Sequence, residues 1–333
     1  IYTNEKKVFF QKKKKIMGQK INPHILRLGT NNKEWNSKYL EKNIEESTFY
    51  AYKDLQIQKY VIRFLNLIGL NVHTCKTRYS SSHVNLIVSY YCSKKFLKLL
   101  RKMLLINNYK ISLKTKNKFN SIFYKNTRKY PKKRLLILKL YKDYLKQKFF
   151  KSNQFICINK FSDKILTSLS LYFNKQLNIN LVMQNLNKGL GLRLLNKEAQ
   201  LFRTLVLRLR KFSRNSFFKE TITIILIVIR TKNSAQFLGN FIANELSFMK
   251  RHNYFLNFLK SSLMKFVSSN ISKILGIKII IKGRFNGAPR ARKRIISVGS
   301  IPAQQLKSNI DYYEATSFTN NGTFGVKVWI SYK

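Results

Sequence analysis

The stretch that most restricts the fold lies near the C-terminus. Ile277 to Lys282 reads as a strand that runs into a glycine-punctuated loop carrying Arg284, Arg290, Arg292, Lys293 and Arg294. Gly283 and Gly287 are the residue type that takes positive φ or lets a backbone come close to a partner. The five cations present forked or point charges suited to phosphate. Residues 277–284, 292–298, 310–318 and 324–330 read as strands of one sheet. Two amphipathic helices ahead of it, Asn233 to Phe248 and Tyr254 to Leu275, offer apolar faces to pack on that sheet. Lysine supplies most of the positive charge elsewhere, so this arginine-rich loop stands apart. It is read as a loop for nucleic acid on an α/β domain.

The charge balance supports the same class. With 65 Lys+Arg against 13 Asp+Glu, the net charge is +52. Self-repulsion on that scale penalises a compact state unless a partner brings counter-charge. Nucleic acid is the obvious supplier, because binding releases its condensed counterions. A membrane is the weaker candidate: the strongest apolar run, Thr221 to Ile229, is closed by Arg230 and is less than half of a span. No secretory pattern follows Lys12 to Lys15. At 44% hydrophobic and 14% aromatic, the 333 residues can bury two or three cores. Cys75, Cys92 and Cys157 are too few and scattered for a disulfide framework and fit a reducing interior. Abundant Lys, Asn, Ile, Phe and Tyr beside 12 Gly and 4 Pro is the usage of A/T-rich codons. It places the protein in the mitochondrial matrix, encoded by the organelle.

Residues 1–46 read as a basic N-terminal arm. A helix is expected from Ser47 to Ile68, with Phe49, Tyr52, Leu55, Tyr60, Phe64 and Leu67 at helical spacing and Gly69 as its stop. Asn71 to Arg78 and His83 to Tyr90 read as a hairpin through Ser80-Ser81-Ser82, and Ser93 to Leu105 as a second helix. That order is the order of a KH domain of type II, so 47–105 is taken as its first part. Residues 106–216 are read as an organelle-specific insertion, with helical stretches at Leu135 to Phe150 and Leu201 to Phe212, the latter studded by Arg203, Arg208, Arg210 and Arg214. Residues 217–230 are expected to supply the strand that completes the KH-like sheet, and 231–333 the C-terminal domain. KH domains clamp nucleotides with a Gly-x-x-Gly loop. The junction Val88 to Phe96 has no glycine, so the loop is degenerate and the domain reads as a packing scaffold.

Two segments carry a family likeness. Gly283-Arg284, Gly287-Ala288, Ala291-Arg292, Gly299, Pro302, Leu306, Ile310-Asp311-Tyr312, Ala315, Thr319, Gly322 and Gly325 to Ile330 resemble the C-terminal domain of the small-subunit ribosomal protein S-three family. Met17 to Gly29 resembles that family's N-terminus. The likeness covers roughly residues 17–104 and 218–332. It implies a structural, non-enzymatic protein of the mitochondrial small ribosomal subunit, bound to rRNA in the head and helping to line the path by which messenger RNA enters. Ribosomal proteins S-ten, S-fourteen and S-five are the implied neighbours, with mitochondria-specific proteins met through the insertion. Lys20, His24 and Arg27 of the N-terminal motif are assigned to RNA together with Gly283, Arg284, Gly287, Arg290, Arg292, Lys293 and Arg294. Lys250, Arg251 and Lys260 correspond to the channel wall. The adjacent arginine pair expected after the aromatic residue there is replaced, at Leu256 and Asn257, so strong duplex unwinding is not expected. Pro289 and Ser300 stand where the family has an acidic and a basic residue.

A stand-alone organellar RNA-binding factor, acting in splicing or RNA stability, is the alternative; the pairing of N- and C-terminal motifs favours the ribosomal reading. His73, Cys75, His83 and Cys92 match no compact zinc motif and read as core or surface positions. No phosphate-binding Gly-x-x-x-x-Gly-Lys-Ser/Thr loop occurs, and Gly189-Leu-Gly191 is a lone glycine pair. With so few carboxylates and histidines, no catalytic cluster, metal site or cofactor is expected.

Overall fold

The computed structural model of the chain describes residues 21–27, 35–41, 43, 45–80, 82–99, 159–173, 177–188 and 195–333. Lys20, the basic lead-in, Leu135 to Phe150 and Cys157 lie outside the described residues.

In order, the described elements begin with α1 (Pro23–Leu26), β1 (Ser37–Lys38), α2 (Glu46–Ile68), β2 (Leu70–Tyr79) and β3 (His83–Cys92). Helices α3 (residues 94–99) and α4 (residues 159–172) follow. The chain continues through β4 (Asn178–Asn185), α5 (Asn196–Leu207), α6 (Phe218–Arg230), α7 (Ala235–Phe248) and α8 (His252–Val267). Strands β5 (Ile274–Gly283), β6 (Arg292–Gly299), β7 (Ile310–Thr319) and β8 (Gly322–Tyr332) complete it.

Helix α2 stops where the sequence says it must: Gly69 sits at φ 91, and its N–H closes on the carbonyls of Leu65 and Asn66. The buried face of α2 is Ile57, Val61 and Leu65, not the aromatic stripe. Phe49, Tyr52, Leu55 and Leu67 are all more than half exposed. The helical period was therefore real, but the side that packs is the β-branched and leucine one. It meets Val84, Leu86 and Val88 of β3 and Ile165 and Leu169 of α4 in one core.

Beneath these helices lies a sheet of order β1-β2-β3-β4, with β2 and β3 antiparallel and β4 parallel to β3 from His83↔Asn178 to Tyr90↔Asn185. The succession α2-β2-β3-α3-α4-β4 is consistent with the KH-like reading. Two boundaries of that reading are corrected. The completing strand is β4, inside the stretch taken as insertion, and Thr221 to Ile229 is the body of helix α6 rather than a strand. The run is apolar without period because nearly every side chain from Ile222 to Ile229 is buried. A helix enclosed on all sides and a buried strand look alike by hydrophobicity alone. Glu220 in the first turn and Arg230 in the last suit the helix dipole and carry the deciding signal.

The second sheet, of order β6-β5-β8-β7, is antiparallel throughout. It realises the four C-terminal strands expected from sequence, although α8 ends at Val267 and β5 begins at Ile274, earlier than the helix expected to Leu275. Helices α7 and α8 lie on one face, where Ile277, Ile279, Ile281, Val326, Val328 and Ile330 point into a core shared with α6. The two units meet along a seam: Phe237 of α7 packs edge-on to His73 and Tyr91, with ring centroids 5.8 and 5.6 Å away. Tyr91 reaches Thr223 of α6 at 3.0 Å through its hydroxyl.

Candidate nucleic-acid interface

At the end of β5 the chain turns through a short 3-10 segment, Phe285–Gly287. Asn286 and Gly287 both take positive φ, at 55° and 76°, so Gly287 serves as the sequence suggested. Gly283 does not. It is buried, and a Cβ there would lie 2.3 Å from Cδ1 of Phe324, so the residue makes room for a core ring rather than for a partner. The turn is fastened to the start of α8 twice over. The His252 amide donates to Oδ1 of Asn286 at 2.9 Å, and the Asn286 amide donates to Nδ1 of His252 at 3.2 Å. Phe285 and His252 both pack on Phe324. Burial lowers the pKa of His252, which keeps it neutral and able to accept that bond at neutral pH.

Arg284, Arg290, Arg292, Lys293 and Arg294 are all exposed. Arg284 is held by its Nε, which donates to the carbonyl of Ala288 at 2.9 Å. The strand alternation of β6 then divides the rest of the cluster. Arg292 and Arg294 fall opposite Gly283 and Ile281 and share the helix side of the sheet with buried Ile296; Lys293 falls opposite Lys282 on the other face. Five charges close in sequence thus serve two surfaces.

On the helix side the turn adjoins a groove of about 560 Å³ lined by Lys250, Arg251, Asn253, Tyr254, Asn257 and Asn286. The predicted channel residues Lys250 and Arg251 are therefore brought together with the loop, and the groove adds polar groups the sequence reading passed over. Asn253, Tyr254 and Asn257, on one face of α8, have the spacing that was the available signal. Lys260 is exposed on the same helix but does not line the groove. The two positions where the family has arginines point in opposite directions: Asn257 is exposed and Leu256 is buried in the core.

The N-terminal motif behaves differently from its assignment. Arg27 is 1% exposed, and its guanidinium donates to the carbonyls of Pro23 at 3.2 Å, Ala303 at 2.8 Å and Gln305 at 3.0 Å, and to Oγ of Ser308 at 3.3 Å. Its charge is consumed inside the fold, so the RNA role expected of it is withdrawn. Nε2 of His24 lies 2.9 Å from Oδ1 of Asp311 and 2.8 Å from the amide of Tyr312, an acceptor and a donor at once. Its proton serves the first, its lone pair the second, and either choice ties α1 to β7. The other carboxylate oxygen of Asp311 accepts from the Ala235 amide at 2.7 Å, at the positive end of α7. His24 and Arg27 thus fasten the N-terminal segment to the C-terminal domain.

His73 and Cys75 belong to the interior. Nδ1 of His73 is 3.2 Å from Oγ of Ser89, and burial pushes the Cys75 thiol up to about 12, with Asp54 adding to the shift, so it holds its proton. Among the described residues no three His, Cys, Asp or Glu side chains gather as metal ligands. No described helix is long and apolar enough to cross a membrane.

Residues 247–330 match the family model described as ribosomal protein S3, C-terminal domain. Over 123 residues the chain is 33% identical to the small ribosomal subunit protein uS3c of Euglena longa, covering 36% of this chain and 54% of that protein. It is 43% identical over 96 residues to the small ribosomal subunit protein uS3 of Borrelia duttonii, covering 29% and 33%. The uS3c protein of Guillardia theta is 34% identical over 115 residues, covering 34% and 50%. The chain therefore spans from about a third to about half of the length of the curated relatives it matches.

Proposed function

We propose, on the premise that this chain belongs to the ribosomal protein S3 family, that it is a non-enzymatic structural constituent of the small subunit of a mitochondrial ribosome. In this reading it binds rRNA in the subunit head through the 284–294 loop and presents the α8 groove to messenger RNA. Ribosomal proteins S-ten, S-fourteen and S-five are its neighbours. Relatives named as uS3c support an organellar setting; a residue composition of the kind A/T-rich codons give supports the mitochondrion.

One observation carries the proposal. Within the segment that matches the family model, the turn after β5 is clamped to the head of α8, so that Asn286 of the turn lines the basic groove with Lys250 and Arg251, two residues from exposed Arg284. No carboxylate lines that groove, and the fastened turn holds its backbone in place before any phosphate arrives, which lowers the ordering cost of binding.

The test is sedimentation of organellar extracts expressing a tagged protein. It should travel with the small subunit, and changing Arg284, Arg290, Arg292 and Arg294 together to glutamate should release it. Free migration of the unaltered protein, bound to other RNA, would instead support a stand-alone RNA-binding factor. In isolation its RNA affinity should fall by roughly three to five orders of magnitude between about 50 and 200 mM salt if about six to ten phosphates are neutralised.

A further inference from the structure

Helices α7 and α8 lie on one face of the C-terminal sheet, α1 meets its edge strand β7, and the opposite face has a composition of its own. Cross-strand register arranges it in rows. Lys278 of β5, Trp329 of β8 and Tyr312 of β7 stand side by side in one row. The rings of Tyr312 and Trp329 are 5.0 Å apart, tilted by 42°, and Nζ of Lys278 is 5.8 Å from the Trp329 ring. The next row holds Lys327 and Glu314, joined at 2.7 Å. Beyond it Lys293 and Lys282 face each other across β6 and β5, both exposed. Among the described residues no carboxylate pairs with either.

We infer that this helix-free sheet face is a platform for single-stranded RNA, with bases stacking on the Tyr312–Trp329 pair and phosphates running to Lys282 and Lys293. The inference rests on the proposed RNA-binding role and extends it to a second surface, distinct from the α8 groove. Three observations favour RNA over an acidic protein. The aromatic pair is only half-buried, so its rings remain open to a planar partner. The lysines lie four residues along the strands from the rings, about 14 Å, which leaves room for an extended strand between stacking and phosphate contacts. Gly325, opposite Lys282 in the lysine row, meets nothing within 4 Å where a Cβ would be, so the sheet is open beside that lysine. Aromatic rings on a sheet flanked by cations are how sequence-tolerant single-strand binding is built, because every base has a π-face.

The test uses the full chain with Trp35→Phe, leaving Trp329 as the only indole. A short oligoadenylate should quench its emission, and an RNA duplex of matched charge should not. Trp329→Leu should weaken oligoadenylate binding about tenfold or more, and Trp329→Phe, which keeps a ring, should weaken it far less. Should the leucine variant fail to fold, the quenching comparison in the unaltered platform still decides. Equal quenching by duplex and single strand, or equal loss in the leucine and phenylalanine variants, overturns the platform. Quenching by a glutamate-rich peptide at matched charge also overturns it, in favour of a protein-docking surface. Sedimentation of the same Trp35→Phe protein separates the two proposals: small-subunit association without selective quenching removes the platform and leaves the ribosomal role standing.

Discussion

Acid should loosen this protein at the seam between its two units, and His73 is the residue through which it acts. Its side chain is 6% exposed, packed edge-on to Phe237 of α7, with Nδ1 near Ser89 and Nε2 lacking a hydrogen-bond partner. Burial drives its pKa down from the ordinary 6.5 to about 4, with the nearby Asp311 charge opposing the shift. Because the folded value lies below the unfolded one, the unfolded chain takes up the proton first. The stability due to neutral His73 is complete above about pH 6.5 and is lost progressively as pH falls toward 4. A difference of about 2.5 units corresponds to about 3 kcal/mol, from 1.36 kcal/mol per unit. His252, also lowered by burial, titrates in the same direction. The assay is urea unfolding at fixed ionic strength at a series of pH values, for the unaltered protein and for His73→Phe. The unaltered protein should lose about 3 kcal/mol more than the variant across this window. Parallel curves for the two proteins would refute the assignment, because only His73 differs between them.

Arg27→Ala should cost about 1–3 kcal/mol and expose the N-terminal segment to proteolysis, since part-buried carbonyls lose a charged donor; Arg27→Lys should rescue little, because an ammonium lacks the fork. Gly283→Ala should lower the thermal midpoint through its clash with Phe324, costing about 1–3 kcal/mol, and Phe324→Leu should relieve part of that loss in the double variant. Asn257→Arg, on the exposed side of α8, should improve translation through stable messenger hairpins without harming the fold. Leu256→Arg should instead destabilise the domain by about 3 kcal/mol or more, by burying an unpaired charge, as thermal unfolding of the two variants would show.

How much of this was legible depended on whether a residue's surroundings were local. The four C-terminal strands could be read because turn glycines and periodic apolar residues bound each one. Gly69 could be read because helix termination is a property of one residue's φ. The α6 run could not, since its burial is supplied by α7, α8 and Tyr91 from elsewhere in the chain. Strand β4 was hidden by its setting in a stretch unlike the family and by Val182, which interrupts the alternation of Ile179, Leu181 and Met183 with polar neighbours. The arginine loop was correctly singled out as basic and exposed. Its division between two faces required the register of β6 on β5, which no count of charges contains. Arg27 shows the converse: an arginine in a basic chain reads as surface, and only its distant carbonyl partners at 303 and 305 make it interior.

The allotment of carboxylates explains how a chain of net charge +52 holds this fold and why an anionic partner would suit it. Of its few acidic residues, Asp54, Glu220 and Asp311 are buried. Asp54 accepts from Gln58 and Thr77, Asp311 joins α1 to the start of α7, and Glu220 lies beside Lys94. Glu198 and Glu314 are bound to Arg230 and Lys327. The three buried acids do structural work where a lost partner is costly, and Glu198 and Glu314 are already paired at the surface, so little negative charge remains to temper the 284–294 loop, the α8 groove or Lys282 and Lys293. Surface cations crowded in this way repel one another, and the repulsion falls when phosphates move among them. Internal cohesion and surface charge are therefore two consequences of one distribution: three acids buried to fasten elements, and bases left outside, where the proposed RNA partner would neutralise them.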